Sequence, residues 1–164
     1  MATRQISVQR FSVTSSKSFH DVVAALEARI GRPDMNAFRK NIAAAQTEAE
    51  LEKVVQAAIG PLDLMEFARF DLGEVLRKEP DAKAPQSLRL VVGNMLIMKQ
   101  MVKHTPDAGS YAPVTILVDE RPDGVHVSYD TMASFLSPYG NREALKVAQE
   151  LDAKVESLLA AAAA

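Results

Sequence analysis

Cysteine and tryptophan are absent from this chain, and aromatic residues make up only 5% of it. Without cysteine there can be no disulfide, no thiolate metal site and no thiol nucleophile, and the composition suits a reducing cytoplasm. An excess of positive charge is missing too: 19 Lys and Arg stand against 21 Asp and Glu, a formal net charge of -2, and the basic residues form no run. Nothing is set aside to neutralise phosphates, so nucleic acid is not an expected partner. Long hydrophobic runs are lacking as well. No segment reaches the roughly 20 apolar residues that span a bilayer, and Met1 to Ser18 has no apolar core of a signal peptide, so the expectation is a soluble, cytoplasmic protein with no membrane partner.

What is present is a chain of 164 residues, 48% hydrophobic and 24% charged, the size of one globular domain over 1–164. Ile6, Val8, Phe11 and Val13 form a β-prone opening whose alternation slips at Arg10, through either a bulge or a later strand start. The spacing of Phe19, Val22, Val23, Leu26 and Ile30 then turns helical, with Ser18 as N-cap and Gly31 as the stop. Pro33 opens a second helix carrying Met35, Phe38 and Ile42 on one face. Thr47 and Glu50 make a capping box for a third, striped by Leu51, Val54, Val55, Ala58 and Ile59 and ended by Gly60-Pro61. Leu64 to Phe70 reads as a strand with poor alternation, Asp71 to Arg77 as a short helix or turn, and Lys78 to Gln86, with Pro80 and Pro85, as a surface loop.

Ser87 to Val92 is a second apolar, β-branched run. Gly93-Asn94 breaks it before the helical stretch Met95 to Lys103. Further on, Pro113 to Glu120 and Val125 to Asp130 flank Arg121-Pro122-Asp123-Gly124, where proline sets φ and glycine accepts φ > 0. With these four residues as the loop, Val118 faces Val127, Ile116 faces Tyr129 and Val114 faces Thr131. The other side pairs Asp119 with His126, Leu117 with Ser128 and Thr115 with Asp130. One face is apolar and the other largely polar, which is how an antiparallel sheet covered by helices on one face reads. Asn141 caps a last helix whose stripe of Leu145, Ala148, Leu151, Val155, Leu158 and Leu159 lies across that sheet, and the terminal alanines are expected to fray.

This order of elements, together with Val91-Val92-Gly93-Asn94, the run Ala112 to Asp119, the acidic hairpin and Tyr129-Asp130, resembles the prokaryotic domain of unknown function 302. The likeness runs from about Ile6 to Leu159, with an apparent helical insertion at about 32–60. The family's Gly-Asn is usually followed by proline and a Gly-Thr step, whereas here Met95-Leu96-Ile97-Met98 follows. The resemblance implies an α+β fold, a twisted antiparallel sheet with helices packed on one face and the long C-terminal helix across it, similar in outline to the TATA-binding-protein-like group. It also implies a tendency to form homodimers. It carries no activity over to any residue.

Three constellations bear on function. Met95, Met98 and Met101 recur every third residue with His104 beyond them, which a soft metal such as Cu(I) could use; flexible thioethers filling a core explain the pattern better. His20, His104 and His126 show no zinc spacing, so neither metal nor cofactor is expected. His126 with Asp119 or Asp130 could serve as an acid-base group; the plainer account is a cross-strand surface pair of about 0.2 to 1 kcal/mol. Ser110, Ser134 and Ser137 sit in no nucleophile motif. Gly93 and Asn94 at the helix N-terminus, with Met98, Tyr111 and Tyr129, are the candidate ligand-binding residues, suited to a small apolar molecule bearing a carboxylate or carbonyl. For Asn94 the competing role is an N-cap. The leading expectation is a non-catalytic, small-molecule-binding homodimer; the alternatives are a small enzyme built on His126, and a structural or adaptor subunit.

Overall fold

The computed structural model describes residues 1, 3–79 and 84–164. Its frame is a five-stranded antiparallel sheet in the order β1-β5-β4-β3-β2. The strands are β1 (Arg10–Ser15), β2 (Met65–Asp71), β3 (Ser87–Gly93), β4 (Val114–Arg121) and β5 (Gly124–Asp130). The helices are α1 (Phe19–Glu27), α2 (Met35–Ala44), α3 (Glu48–Gln56), α4 (Leu72–Leu76), α5 (Met95–Val102), α6 (Met132–Leu136) and α7 (Arg142–Ala163).

Alternation explains which face is buried. Leu90 and Val92 of β3, Ile116 and Val118 of β4, and Val127 and Tyr129 of β5 are at most 1% exposed and form one core with the helices. Helices α1 and α7 touch this face of the sheet, and α5 packs against α7. Helix α7 buries Ala144, Ala148, Leu151, Val155, Leu158, Leu159 and Ala162. Burying a single leucine fully contributes about 1.5 to 3 kcal/mol, so this one helix closes much of the core. The predicted hairpin register holds, with Val118 opposite Val127, Ile116 opposite Tyr129 and Asp119 opposite His126.

The details differ from the sequence reading in physical ways. β1 begins at Arg10, so the slip in alternation marks a late start and Ile6 and Val8 lie outside the strand. Arg121 pairs with Gly124, which leaves a two-residue loop of Pro122 and Asp123 in place of four. Gly124 has φ +135, and a Cβ there would lie 2.6 Å from the Ser15 carbonyl oxygen. Pro33 does not open α2, which starts at Met35; Asp34 caps it, its carboxylate accepting from the Ala37 N–H at 2.8 Å. Ala144, not Leu145, lies on the buried stripe of α7. The terminal alanines do not fray: Ala162 is fully buried, and the Ser15 hydroxyl donates to the Ala163 carbonyl at 2.6 Å. In the expected 78–86 loop, residues 80–83, Pro80 among them, lie outside the described residues.

Gly31 does not stop α1, which ends at Glu27. It serves instead as one side of a backbone crossing. The N–H groups of Gly31 and Gly60 both donate to the Leu64 carbonyl, at 2.8 and 2.9 Å, and the Glu66 N–H donates back to Gly31 at 2.8 Å. A Cβ on Gly31 would sit 1.9 Å from the Ala58 carbonyl oxygen, and one on Gly60 would sit 2.6 Å from the Gly31 nitrogen. Between these two glycines run α2 and α3, which make a smaller core of Phe38, Val55, Ala58 and Met65 beside the β2 edge.

Candidate functional site

Residues that alternate away from the helices build the other face of the sheet. The register sets Ser12 opposite Ser128, Leu117 opposite both Ser128 and Arg89, and Arg89 opposite Phe70, so these five form one row across all the strands. In the adjoining row Arg10 stands opposite Asp130, and Val91 stands opposite both Thr115 and Ala68. Apolar and polar side chains thus mix on a face where helix packing does not dictate either.

That face holds a groove of about 530 Å³, with Val91, Leu117 and Ser128 on its floor, Tyr111 and Phe135 at one side and Leu72 at another. The Tyr111 and Phe135 rings stack with centroids 4.7 Å apart and planes 8° from parallel. Tyr111 and Tyr139 share a hydrogen bond of 2.8 Å, which together with desolvation pushes the Tyr139 hydroxyl up to about 12. The aromatic wall is therefore fixed by stacking and by a hydroxyl contact.

The charged residues lining the groove are Arg10, Arg89 and Asp130. Arg10 grips Asp130 with both arms, Nε to Oδ1 at 2.6 Å and Nη2 to Oδ2 at 2.9 Å. The carboxylate raises the guanidinium's already high pKa, and the bidentate pair neutralises both charges. Arg89 is held loosely by comparison. Its guanidinium lies 5.8 Å from the Phe70 ring centroid and donates one long hydrogen bond, 3.4 Å, to Thr115 Oγ1.

The sequence-predicted ligand residues do not meet at one opening. Gly93, Asn94 and Met98 line a space of only about 10 Å³ and Asn94 also borders a cleft of about 370 Å³ with Asp63, Gln100 and Lys154, whereas Tyr111 and Tyr129 line the open-face groove. Asn94 is 7% exposed and bonded at both ends of its amide: its Oδ1 accepts from the Leu96 N–H at 2.8 Å and its Nδ2 donates to the Asp63 carbonyl at 2.9 Å. It caps α5 and clamps Asp63, whose backbone holds φ 58. The Tyr129 hydroxyl points away from the groove, into the core, where it donates to Asp152.

The acid-base candidates are likewise dispersed. His126 Nε2 contacts Asp123 at 2.8 Å, Asp119 is paired with Arg121 at 2.5 Å and Asp130 with Arg10. The three carboxylates, Asp119 and Asp130 on strands and Asp123 in the hairpin loop, thus hold three different partners. The methionines divide between cores: Met101 is fully buried and Met98 packs beside it in the main core, while Met95 packs in the smaller one. His104 is exposed, and among the described residues no three His, Asp or Glu side chains are placed to hold a metal ion.

Sequence reasoning missed Arg89, Arg10, Leu72 and Phe135 as groove residues. One signal was available for Arg89, a lone charge inside the apolar run Ser87 to Val92. The other three reach the groove from β1, α4 and α6, and no local pattern brings those elements together.

No helix among the described residues is long and apolar enough to cross a membrane. No curated protein matches the chain. A crystal structure of an uncharacterized conserved protein DUF302 from Bacillus stearothermophilus matches it with a TM-score of 0.65 at 10% identity, covering 93% of this chain and 97% of that one. At that identity the likeness establishes the fold alone, an α+β architecture with a five-stranded antiparallel sheet. The model of the family described as domain of unknown function DUF302 matches residues 40–162, most of the chain, and the protein belongs to that family.

Proposed function

We propose that this protein is a non-catalytic binding module that holds a small, largely apolar molecule in the groove on the open sheet face and works as a homodimer in the cytoplasm. The observation that carries the reading is the groove itself. Its volume of about 530 Å³ lies in the range of small-molecule sites, and it combines Val91 and Leu117 on the floor and an aromatic wall with polar anchors at Arg89, Thr115 and Ser128. The separate pairing of Asp119, Asp130 and His126 supports binding over acid-base chemistry, which needs these groups on one reacting atom.

The homodimer has its own support. Val75 and Leu76, on α4 and outside the groove lining, are 70 and 44% exposed. Two adjacent large apolar side chains exposed on a short helix are the kind of surface that self-association covers. The cytoplasmic setting draws support from the cysteine-free composition.

Native mass spectrometry of protein purified from its own host tests the binding reading. A retained small molecule is expected, and Leu117→Asp, which puts a charge on the groove floor, should release it. A bare protein mass, with no probe molecule shifting the backbone amides around Leu117, would rule the module out.

A further inference from the structure

We infer that the molecule held in this groove is an amphiphile with a single carboxylate on an apolar chain, and that Arg89 is its headgroup anchor. The inference rests on the binding reading above and adds the chemical class and the residue that selects it.

The two guanidiniums of the groove differ in what they have left to offer. Arg10 turns its Nε–Nη2 edge to Asp130 through two short hydrogen bonds, so the charge at that end of the groove is locally neutralised. Arg89 has five N–H donors and uses one, at 3.4 Å to Thr115; among the described residues no carboxylate lies within 4.0 Å of it. A planar fork of this kind matches a carboxylate in bidentate geometry. With Asp130 cancelling Arg10, the lining among the described residues carries one uncompensated positive charge. One charge suits a monoanion. A phosphate dianion would need a second free cation, which Arg10 cannot be without breaking its pair.

The surroundings of Arg89 define the rest of the ligand. Leu117 lies directly opposite it, and Val91 is two residues along the same strand on the same face. Beyond them stands the stacked Tyr111–Phe135 wall. A chain anchored at Arg89 therefore leaves its headgroup onto Leu117 and Val91 and ends beside Ser128, and two inter-strand spacings, roughly 10 Å, accommodate about eight carbons. The Phe70 ring beneath the guanidinium keeps the cation in place while empty, through a contact that a carboxylate need not break.

The test is a backbone amide NMR titration of the whole chain at pH 7 with sodium octanoate, octan-1-ol and octylammonium, on the parent and on Arg89→Met. Arg89 is exposed, so methionine keeps the stem and removes only the fork. Octanoate should shift the amides around Arg89 and Leu117 and bind about tenfold tighter than octanol, with octylammonium weakest; the variant should lose about tenfold for octanoate and change less than about twofold for octanol. Equal affinities for all three probes, or an octanoate affinity untouched by the substitution, would overturn the carboxylate inference and leave the groove as a general apolar site. No shift at Arg89 and Leu117 with any probe, whether because the groove does not bind or because a second copy of the chain covers it, would overturn both readings.

Discussion

Tyr129 on β5 and Asp152 on α7, 23 positions apart and both buried, share a hydrogen bond of 2.5 Å. The same carboxylate accepts the Met132 N–H at 2.7 Å and the Ala133 N–H at 2.9 Å. Thr131, the N-cap of α6, makes no side-chain cap bond, so Asp152 supplies from another helix what the local sequence does not. One carboxylate thereby fastens the strand, the short helix and the long helix together.

Tyr129→Phe should lower stability by about 1 to 3 kcal/mol, because a desolvated carboxylate loses one donor. Burial, then the charge of Asp152, hold the Tyr129 hydroxyl well above its ordinary value of 10.0. A raised folded value means that the folded state keeps its proton after the unfolded state has lost it. The contribution is complete below about pH 10 and falls above it by about 1.4 kcal/mol per pH unit. Urea unfolding at pH 9 and at pH 11 checks this: the loss between the two should be smaller in the phenylalanine variant.

Gly124→Ala should cost more than an ordinary turn substitution. The added methyl group meets the Ser15 carbonyl oxygen of the neighbouring strand at 2.6 Å, and φ +135 is foreign to alanine. A loss of about 1 to 3 kcal/mol is expected from denaturant midpoints. A neutral outcome would mean that the hairpin and β1 are not held as described.

Asn94→Ala separates the cap from the ligand site. It should destabilise by about 0.5 to 2 kcal/mol for the lost cap, with the freed Asp63 carbonyl adding to the effect. Octanoate binding at the open-face groove should stay within about twofold of the parent in the amide titration. A large loss of binding without a loss of stability would return Asn94 to the role the sequence suggested for it.

Light scattering at micromolar concentration should report a homodimer, and Val75→Glu should shift it towards monomer. Val75 is 70% exposed, so the change leaves the fold intact while placing a charge in the proposed contact. A monomeric parent would defeat the proposal outright.

Much of the architecture was legible because period and punctuation agree. The Thr47–Glu50 capping box, the Ser18 and Asn141 caps and the alternation across the hairpin are all as the sequence implied. What resisted was contact between elements distant in sequence. Gly31 followed a helical run and looked like its stop, when its lack of a side chain answers to Ala58 and Gly60. Asn94 was visible as a cap, but its second bond to Asp63 was not. The groove was least legible of all, since Arg89, Leu117, Tyr111 and Phe135 meet only once the sheet is assembled; Tyr111 was named for a ligand, but with Asn94 and Met98, which lie elsewhere.

The crossing at Gly31 and Gly60 gives the stretch between them an unusual freedom. Its two ends already touch, bound to the same Leu64 carbonyl, so to the sheet it is an excursion that returns to its point of departure. Doubling its length would add only about 0.6 kcal/mol of closure entropy, because no distance has to be bridged. A single methyl group at either glycine would instead push the two ends apart. The arrangement makes the helices between them expandable or trimmable, down to what is needed to shelter Met65, while the pair of glycines at the base admits no substitute.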